Sequence, residues 1–512
     1  MKKHVISFFL IVVILGSCSR YDKQAKAVDR DISISPAYNN LVIPNNIAPL
    51  NFSIVEKGKK FRVVFFIEDD KIFVERSSND RIKIPTRKWS AMLKKAKGKH
   101  IVIRVFAKVK NRWQRYPDIR HLVSEDKIDR YLSYRLIHPQ TGSWKQMGLY
   151  ERDLTNFKQR TIIENSTLDN SCVNCHHVAA NSADKFMFHA RAGKAHGTYI
   201  ADGKKITKLA PKIYDIYKGA GYAAWHPNGT HIVFSSNSVN GRDVNQSSIH
   251  LINGADSKSD LMVYDLQNNA FYTDSSVFNS RYWETYPTWA PDGKTIYYCR
   301  AKALDAKDHD DLSKIQYNLM KIEFDVDTHT WSKPVTVIDA VSANRSIAFP
   351  RISPDGRYLL FTLYDFGVFS IFRQISDLAI YDIRENRTYM LNSINTRETE
   401  SYHSWSSNGK WFVYSSKYPD GECGRPHIAA FDPETGFVSK GFVIPQRDPK
   451  FYEHFLLSFN IPELYHKRSD LRQRDLLKAT DGPSVPAEVK EGPGSSDYHQ
   501  KQETNTSLWR AG

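Results

Sequence analysis

Four copies of one short pattern set the architecture. Tyr222-Ala223-Ala224-Trp225-His226-Pro227-Asn228-Gly229 runs into Ile232-Val233-Phe234, and Tyr286-Pro287-Thr288-Trp289-Ala290-Pro291-Asp292-Gly293 runs into Ile296-Tyr297-Tyr298. Phe349-Pro350-Arg351-Ile352-Ser353-Pro354-Asp355-Gly356 leads to Leu359-Leu360-Phe361, and Tyr402-His403-Ser404-Trp405-Ser406-Ser407-Asn408-Gly409 to Trp411-Phe412-Val413-Tyr414. Each copy reads as strand, tight turn, strand, because Asn or Asp followed by Gly readily supplies the backbone of a hairpin. The glycines recur at spacings of 64, 63 and 53 residues, room for several strands per repeat.

A second hairpin follows each copy. Leu261 to Phe271 carries Val263-Tyr264-Asp265 and the turn Asn268-Asn269, and Leu319 to Trp331 carries Asp325-Val326-Asp327. Leu378 to Tyr389 turns at Glu385-Asn386, and Ile428 to Phe437 at Glu434-Thr435-Gly436. Two hairpins make four strands, the unit of a propeller blade. An earlier unit, Phe186 to Leu209 with a turn at Asp202-Gly203, supplies three strands or fewer. The late apolar run Phe455 to Ile461 is placed to add the missing strand and close the ring by pairing the two chain ends. The expected fold is mainly β, with a five- or six-bladed propeller over residues 186–465.

The other end of the chain sets the compartment. Lys2 and Lys3 precede an apolar run from Val5 to Leu15, too short for a bilayer that needs about 20 residues, so residues 1–17 read as a signal peptide. The run ends in Leu15-Gly16-Ser17-Cys18, which resembles a bacterial lipobox and makes Cys18 the candidate for lipidation. The expectation is a lipid-anchored protein of the bacterial cell envelope, on the periplasmic face or the outer membrane. An ordinary secretory signal with an incidental Cys is the alternative. The 72 Lys and Arg against 56 Asp and Glu give a formal charge of +16, which favours anionic partners in general. In that compartment nucleic acid is not an expected partner.

Five cysteines are too few for a disulfide scaffold, and two of them fall in Cys172-Val173-Asn174-Cys175-His176. This is the CxxCH spacing of c-type haem attachment, in which two thiols add across the vinyl groups and the next imidazole meets the iron. Cys172 and Cys175 are therefore candidate thioether donors to haem c, and His176 the candidate proximal ligand. A Cys-x-x-Cys redox pair and a zinc site remain open for the same residues, while Cys299 and Cys423 are isolated. His177 is too close to His176 to reach the opposite face of one haem. Phe186-Met187-Phe188-His189-Ala190-Arg191 alternates like a strand, with Met187 and His189 on one face and both Phe on the other. His189, Met187 and, further along, His196 are candidate distal ligands, with five-coordinate iron as the remaining option.

Residues 18–45 are polar and turn-rich and read as a tether, residues 46–140 as an immunoglobulin-like β-sandwich, and residues 141–185 as the haem-attachment segment. The runs Phe61-Arg62-Val63-Val64-Phe65-Phe66-Ile67 and Ile101-Val102-Ile103-Arg104-Val105-Phe106 carry the sandwich reading, with one short helix around Trp89 to Lys95. Residues 57–120 hold 20 Lys and Arg against 6 Asp and Glu. That stripe suits anionic lipid, lipopolysaccharide or an acidic partner, or merely the solvated faces of strands. Residues 466–512 lose periodicity and gain Pro, Gly, Ser, Gln and charge, the composition of a disordered tail. No GxSxG elbow, HExxH helix or phosphate-binding loop occurs, and the metal-capable Asp308-His309-Asp310-Asp311 reads as a solvated loop.

The repeats, with Pro-Asp-Gly at 291–293 and 354–356, resemble the WD40-like blades of TolB-type propellers. Asn stands at 228 and 408 and Ser407 replaces Pro, which leaves the turn chemistry intact. Taken with Cys18, the CxxCH, and the segments Ile47 to Phe52, Tyr131 to Ile137 and Asn170 to His176, the chain resembles Bacteroidetes-type lipoproteins described as TolB-like or cytochrome c-related. The resemblance implies a haem-bearing envelope protein and leaves substrate and reaction open. The leading expectation is a membrane-anchored c-type haem protein in electron transfer or haem-based sensing, its propeller a platform for a protein redox or envelope partner. The alternative is a TolB-like binding scaffold in which the CxxCH is structural. Either reading makes the chain an electron carrier or binding protein more than an enzyme, although a propeller channel beside a haem leaves catalysis open.

Overall fold

The computed structural model describes residues 25–139, 146–191, 193–210, 220–243, 252–304 and 312–491. The signal segment, Cys18, Asp308 to Asp311 and residues 492–512 lie outside the described residues. The chain forms two compact units. The first runs to Ile128 and includes Leu154–Phe157 and Ser439–Phe455; the second holds Asp129–Asp153, Lys158–Val438 and the chain from Leu456.

The second unit is a six-bladed β-propeller, built from six sheets whose blade strands pair antiparallel. The first blade joins Ser458–Tyr465 to Tyr131–Ile137, Met147–Asp153 and Gln159–Glu164. The second runs Cys172–Ala179, Ser182–Arg191, Gly197–Asp202 and Lys205–Leu209 from the axis outward. The third begins with Gly221–Trp225, His231–Asp243 and Ile252–Asp265, the fourth with Tyr282–Trp289, Thr295–Lys302 and Asn318–Asp325. The fifth starts at Ser346–Ile352 and Tyr358–Tyr364, the sixth at Glu400–Trp405 and Trp411–Ser416. Each repeated turn glycine (Gly229, Gly293, Gly356, Gly409) has φ between 64° and 76°, the left-handed backbone the hairpin requires.

The apolar runs are continuous because both faces of a blade are covered. Ile232 and Phe234 pack toward the second blade with Met187, Ile200 and Trp225, while Val233 packs toward the fourth with Trp289, Ile296 and Tyr298. The sixth blade meets the first through Ser415 Oγ donating to the Phe459 carbonyl at 2.8 Å, and Leu464 N–H donating to Ser404 Oγ at 3.0 Å.

Four expected boundaries move. The haem-attachment segment 141–185 is not a separate element: Met147–Asp153 and Gln159–Glu164 are outer strands of the first blade, and the CxxCH begins the inner strand of the second. Tyr131–Ile137, expected in the sandwich, pairs instead with the closing strand, Tyr131 opposite Tyr465 and Ile137 opposite Ser458. The expected tether 18–45 is structured over its described part, because Ile32, Ile34, Tyr38, Leu41 and Ile43 are all buried. The expected disordered tail is ordered as far as residue 491. There Leu471 and Leu476 join the core between the first two blades, the helix Gln473–Asp481 follows, and Glu488–Glu491 adds parallel to Ala270–Thr273. A few well-placed leucines and a free sheet edge outweigh the polar composition.

The first unit holds a seven-stranded sheet around His100–Val109, which pairs with Phe61–Ile67, Arg112–Arg115 and Ile119–Val123. It also holds a three-stranded sheet of Ile34–Ser35, Phe52–Ile54 and Arg81–Ile82. Its helix Thr86–Lys95 begins three residues ahead of the expected start and buries Trp89, Met92 and Leu93. The Trp89 indole N–H donates to the Ile47 carbonyl at 3.0 Å.

The seam of the third and fourth blades carries two buried carboxyl groups. Glu284 is fully buried and takes the Arg300 Nε–H at 3.0 Å, leaving its second oxygen unpartnered. Burial pushes Glu284 up to about 8 against the pull of Arg300, and burial together with Glu284 holds Asp260 well above the carboxylate range. Both groups favour the protonated form when folded, so their stabilisation is complete below about pH 4 and is lost as pH rises through the raised values. The melting temperature is expected to fall between pH 5 and pH 8, with a shallower slope in Glu284→Gln. Parallel pH profiles of the two proteins would contradict this.

Candidate functional site

Every inner strand of the propeller carries one mid-strand break in register, and Cys172–Ala179 adds a second at its end, beside the left-handed Ala180 and Asn181. At each mid-strand break a non-glycine residue takes the left-handed region: Ile461 (φ 51), Cys175 (54), Tyr222 (40), Tyr286 (54), Phe349 (54) and Tyr402 (43). Such residues cost about 1–3 kcal/mol each and persist where the surrounding fold enforces them, re-aiming a side chain. Here all six are aimed at one cavity on the axis. Tyr222, Tyr286, Phe349 and Tyr402 touch in succession, ring centroids 4.6, 4.2 and 4.7 Å apart, and leave about 40 Å³ of room.

Cys175 therefore occupies the place that four other blades give to an aromatic ring. Cys175-His176-His177-Val178 stands in the register of Tyr402-His403-Ser404-Trp405, which puts His176 and His403 in the same cavity. Cys172 and Cys175 are buried free thiols. Burial raises the Cys172 pKa against the nearby Arg135 and Arg191. His176 is 2% exposed, and burial, with Arg135 and Arg351, lowers its pKa to about 3, so the ring is neutral at physiological pH. Neither of its nitrogens meets a partner at hydrogen-bond geometry, and only the Ser133 backbone nearby favours a proton there.

The expected distal ligands do not line this cavity. Met187 packs between the second and third blades, with Phe186 and Phe188 on the opposite face as alternation required. His189 Nδ1 is 2.9 Å from Thr198 Oγ1 and its ring lies 5.9 Å from that of His196, on the outer strands of the blade. His403 was not singled out from the sequence, although its place in the fourth repeat, one residue after the bulge tyrosine, matches that of His176. Its Nε2–H donates to the Leu360 carbonyl at 3.0 Å, and Nδ1 has no hydrogen-bond partner.

Two residues past each bulge the channel widens into a second cavity of about 310 Å³. Arg351 holds it together: Nη2 donates to Glu463 Oε1 at 2.6 Å and Nη1 makes a short hydrogen bond to His177 Nε2. Burial raises the Glu463 pKa despite Arg351, and burial followed by Arg351 keeps His177 neutral, well below its ordinary value. Trp225, Trp289 and Trp405 line the same space.

The donor set matches a c-type haem: two unpaired thiols at the right spacing and a neutral, unpartnered imidazole next in chain. The room beside them does not, because about 40 Å³ is on the order of one or two waters, and ligand pockets run to several hundred. Holding a porphyrin there entails rearranging the aromatic ring.

No family model matches the chain, and no curated protein does. Solved structures show distant likeness. A puromycin-hydrolyzing peptidase of Mycobacterium tuberculosis is 11% identical with a TM-score of 0.37, over 62% of this chain and 52% of that one. A nidogen/laminin complex is 10% identical with a TM-score of 0.38, over 66% and 100%. The β-propeller domain of the Trilobed protease from Pyrococcus furiosus is 11% identical with a TM-score of 0.27, over 64% and 84%. This chain spans about half the length of the first of these. The propeller assignment rests on the strand pairing: six sheets of four or five strands around one axis, closed by a strand from the C-terminal side.

Proposed function

We propose that this is a c-type haem protein of the bacterial envelope, acting in one-electron transfer or haem-based sensing, with Cys172 and Cys175 as thioether donors and His176 as proximal ligand. The observation that carries the reading is His176: a buried imidazole whose polar neighbour, the Ser133 backbone, stands off hydrogen-bond geometry is costly unless something absent from the chain takes it up. A bound haem supplies reversible one-electron chemistry or a small-ligand site. The chain's own part is to keep His176 neutral and to set the positive charge of Arg135 and Arg191 near Cys172, where it would favour an anionic group. His403 replaces His189, Met187 and His196 as the distal candidate this site favours. The lipobox at Cys18 and the basic stripe over 57–120 support lipid attachment and an anionic surface or acidic redox partner.

The test is the absorption spectrum and mass of the chain exported by a host with c-type haem assembly. The expected result is a Soret band that survives denaturation and disappears in Cys175→Ala. Two unmodified sulfurs, or a Cys172–Cys175 disulfide, in a fully haem-competent host would reject it. The tryptophan-lined cavity of about 310 Å³ favours one second reading, a binding propeller that holds its ligand at the channel mouth.

A further inference from the structure

Four outer hairpins of the propeller share one turn. An Asp opens it (Asp265, Asp325, Asp382 or Asp432) and accepts the backbone N–H two residues on. The fifth residue is left-handed: Asn269, Asn386 and Gly436 in three of the turns, types that tolerate that backbone, and His329 (φ 57) in the other. A histidine at this position is unfavourable locally, so its side chain invites a reason.

His329 stacks on Tyr272 with centroids 3.8 Å apart and planes within 6°, and its Nε2 stands 3.5 Å from Asp265 Oδ2. His231 Nε2 lies 3.6 Å from the same oxygen. The neighbours of His231 decide where its proton is. Thr230 N–H donates to Asn228 Oδ1 at 2.9 Å, which fixes the amide orientation, and the Thr230 hydroxyl donates to that oxygen at 2.6 Å. Thr230 Oγ1 can then only accept, from His231 Nδ1–H at 2.7 Å. The neutral ring is left with a bare Nε2 lone pair facing a carboxylate. His231 is 7% exposed, and the Nε2 atoms of both histidines are buried without a hydrogen-bond partner. A lone pair facing an anion is repulsive, and a cation between His231 Nε2 and Asp265 Oδ2 removes the conflict.

We propose that His231 Nε2, His329 Nε2 and Asp265 Oδ2 bind one divalent transition-metal ion of the zinc type, linking the third and fourth blades. The three donor atoms lie within 4.8 Å of one another. A tetrahedral ion with bonds of about 2.0–2.1 Å keeps its ligands roughly 3.3–3.4 Å apart, so the 3.5 and 3.6 Å separations need only small adjustment. Two imidazoles and one carboxylate suit zinc and its neighbours, whereas calcium and magnesium take oxygen ligands. Asn268 Nδ2 donates to Asp265 Oδ2 at 2.6 Å and Thr230 orients His231, the outer support that metal ligands need. Asp327 adds negative charge nearby, and His226, whose ring is 5.9 Å from that of His231, has Nε2 engaged by the Gly293 carbonyl.

His329→Asn installs the residue used by two sister turns, so it removes a ligand while easing the backbone. Chelator-treated full chain is dialysed against Zn²⁺ and its metal content and melting temperature are measured. The expected result is one ion per chain in the wild type, affinity at least tenfold weaker in H329N and in His231→Gln, and a Zn²⁺-dependent rise in Tm that H329N lacks. Absence of stoichiometric binding, or equal binding by wild type and H329N, overturns the proposal. The outcome is independent of whether haem is attached.

Discussion

A chain ended after Leu457 is expected to lose the cooperative unfolding transition of the propeller, and most of it to be insoluble. The strand Ser458–Tyr465 is the inner strand of the first blade, and among the described residues no other segment supplies that edge to Tyr131–Ile137. Phe459, Leu464 and Tyr465 are almost wholly buried, worth about 1.5–3 kcal/mol each, and the lost ladder and the sixth-blade contacts add to that. The sum approaches the roughly 5–15 kcal/mol by which whole domains are stable. A chain ended after Arg472 keeps the closing strand and loses mainly Leu476, so it should fold with a lower melting temperature. Near-ultraviolet circular dichroism on heating distinguishes the two. A normal transition in the shorter chain would mean that ring closure is not what holds the propeller.

Arg351→Ala should destabilise the folded state by about 3–5 kcal/mol, the cost of removing one partner from a buried ion pair. Glu463 is 4% exposed and has Arg351 as its cationic partner at 2.6 Å, while His177 accepts from the same guanidinium. Without Arg351 the carboxyl must take up a proton or stay charged in an apolar wall. The double variant Arg351→Ala with Glu463→Gln should therefore recover part of the loss, and the single variant should be less impaired at pH 5 than at pH 8. Urea denaturation of the four proteins of the cycle measures the coupling, and additive losses would show that the pair contributes nothing as a pair.

The turns were the legible part of this fold. Asn-Gly and Asp-Gly located four inner hairpins, and the Asp-led outer hairpins followed at the expected places. Blade one and the inner strand of blade two escaped for definite reasons, while the three outer strands of blade two fall in the expected unit Phe186 to Leu209. The first has an inner strand that begins about 300 residues beyond its outer three, so local pattern could not join them. The second turns at Ala180 and Asn181, both left-handed, with no Pro-Asp-Gly to announce it. The CxxCH was visible as chemistry and hidden as architecture, because its bulge position carries Cys175 where the other copies carry a ring. Alternation correctly divided Met187 from the two Phe of that strand. It could not say that neither face reaches the axis, since that depends on which strand of the blade is innermost.

The strand that completes the wheel is synthesised after every other inner strand. Both thiols of the attachment pentapeptide emerge well over 250 residues before Ser458 does. Throughout that interval the hub stays open on one side, and an enzyme or reagent approaching Cys172 and Cys175 meets none of the steric crowding of the finished molecule. Covalent modification of those sulfurs is thus a step that the order of chain growth permits early and the closed form obstructs.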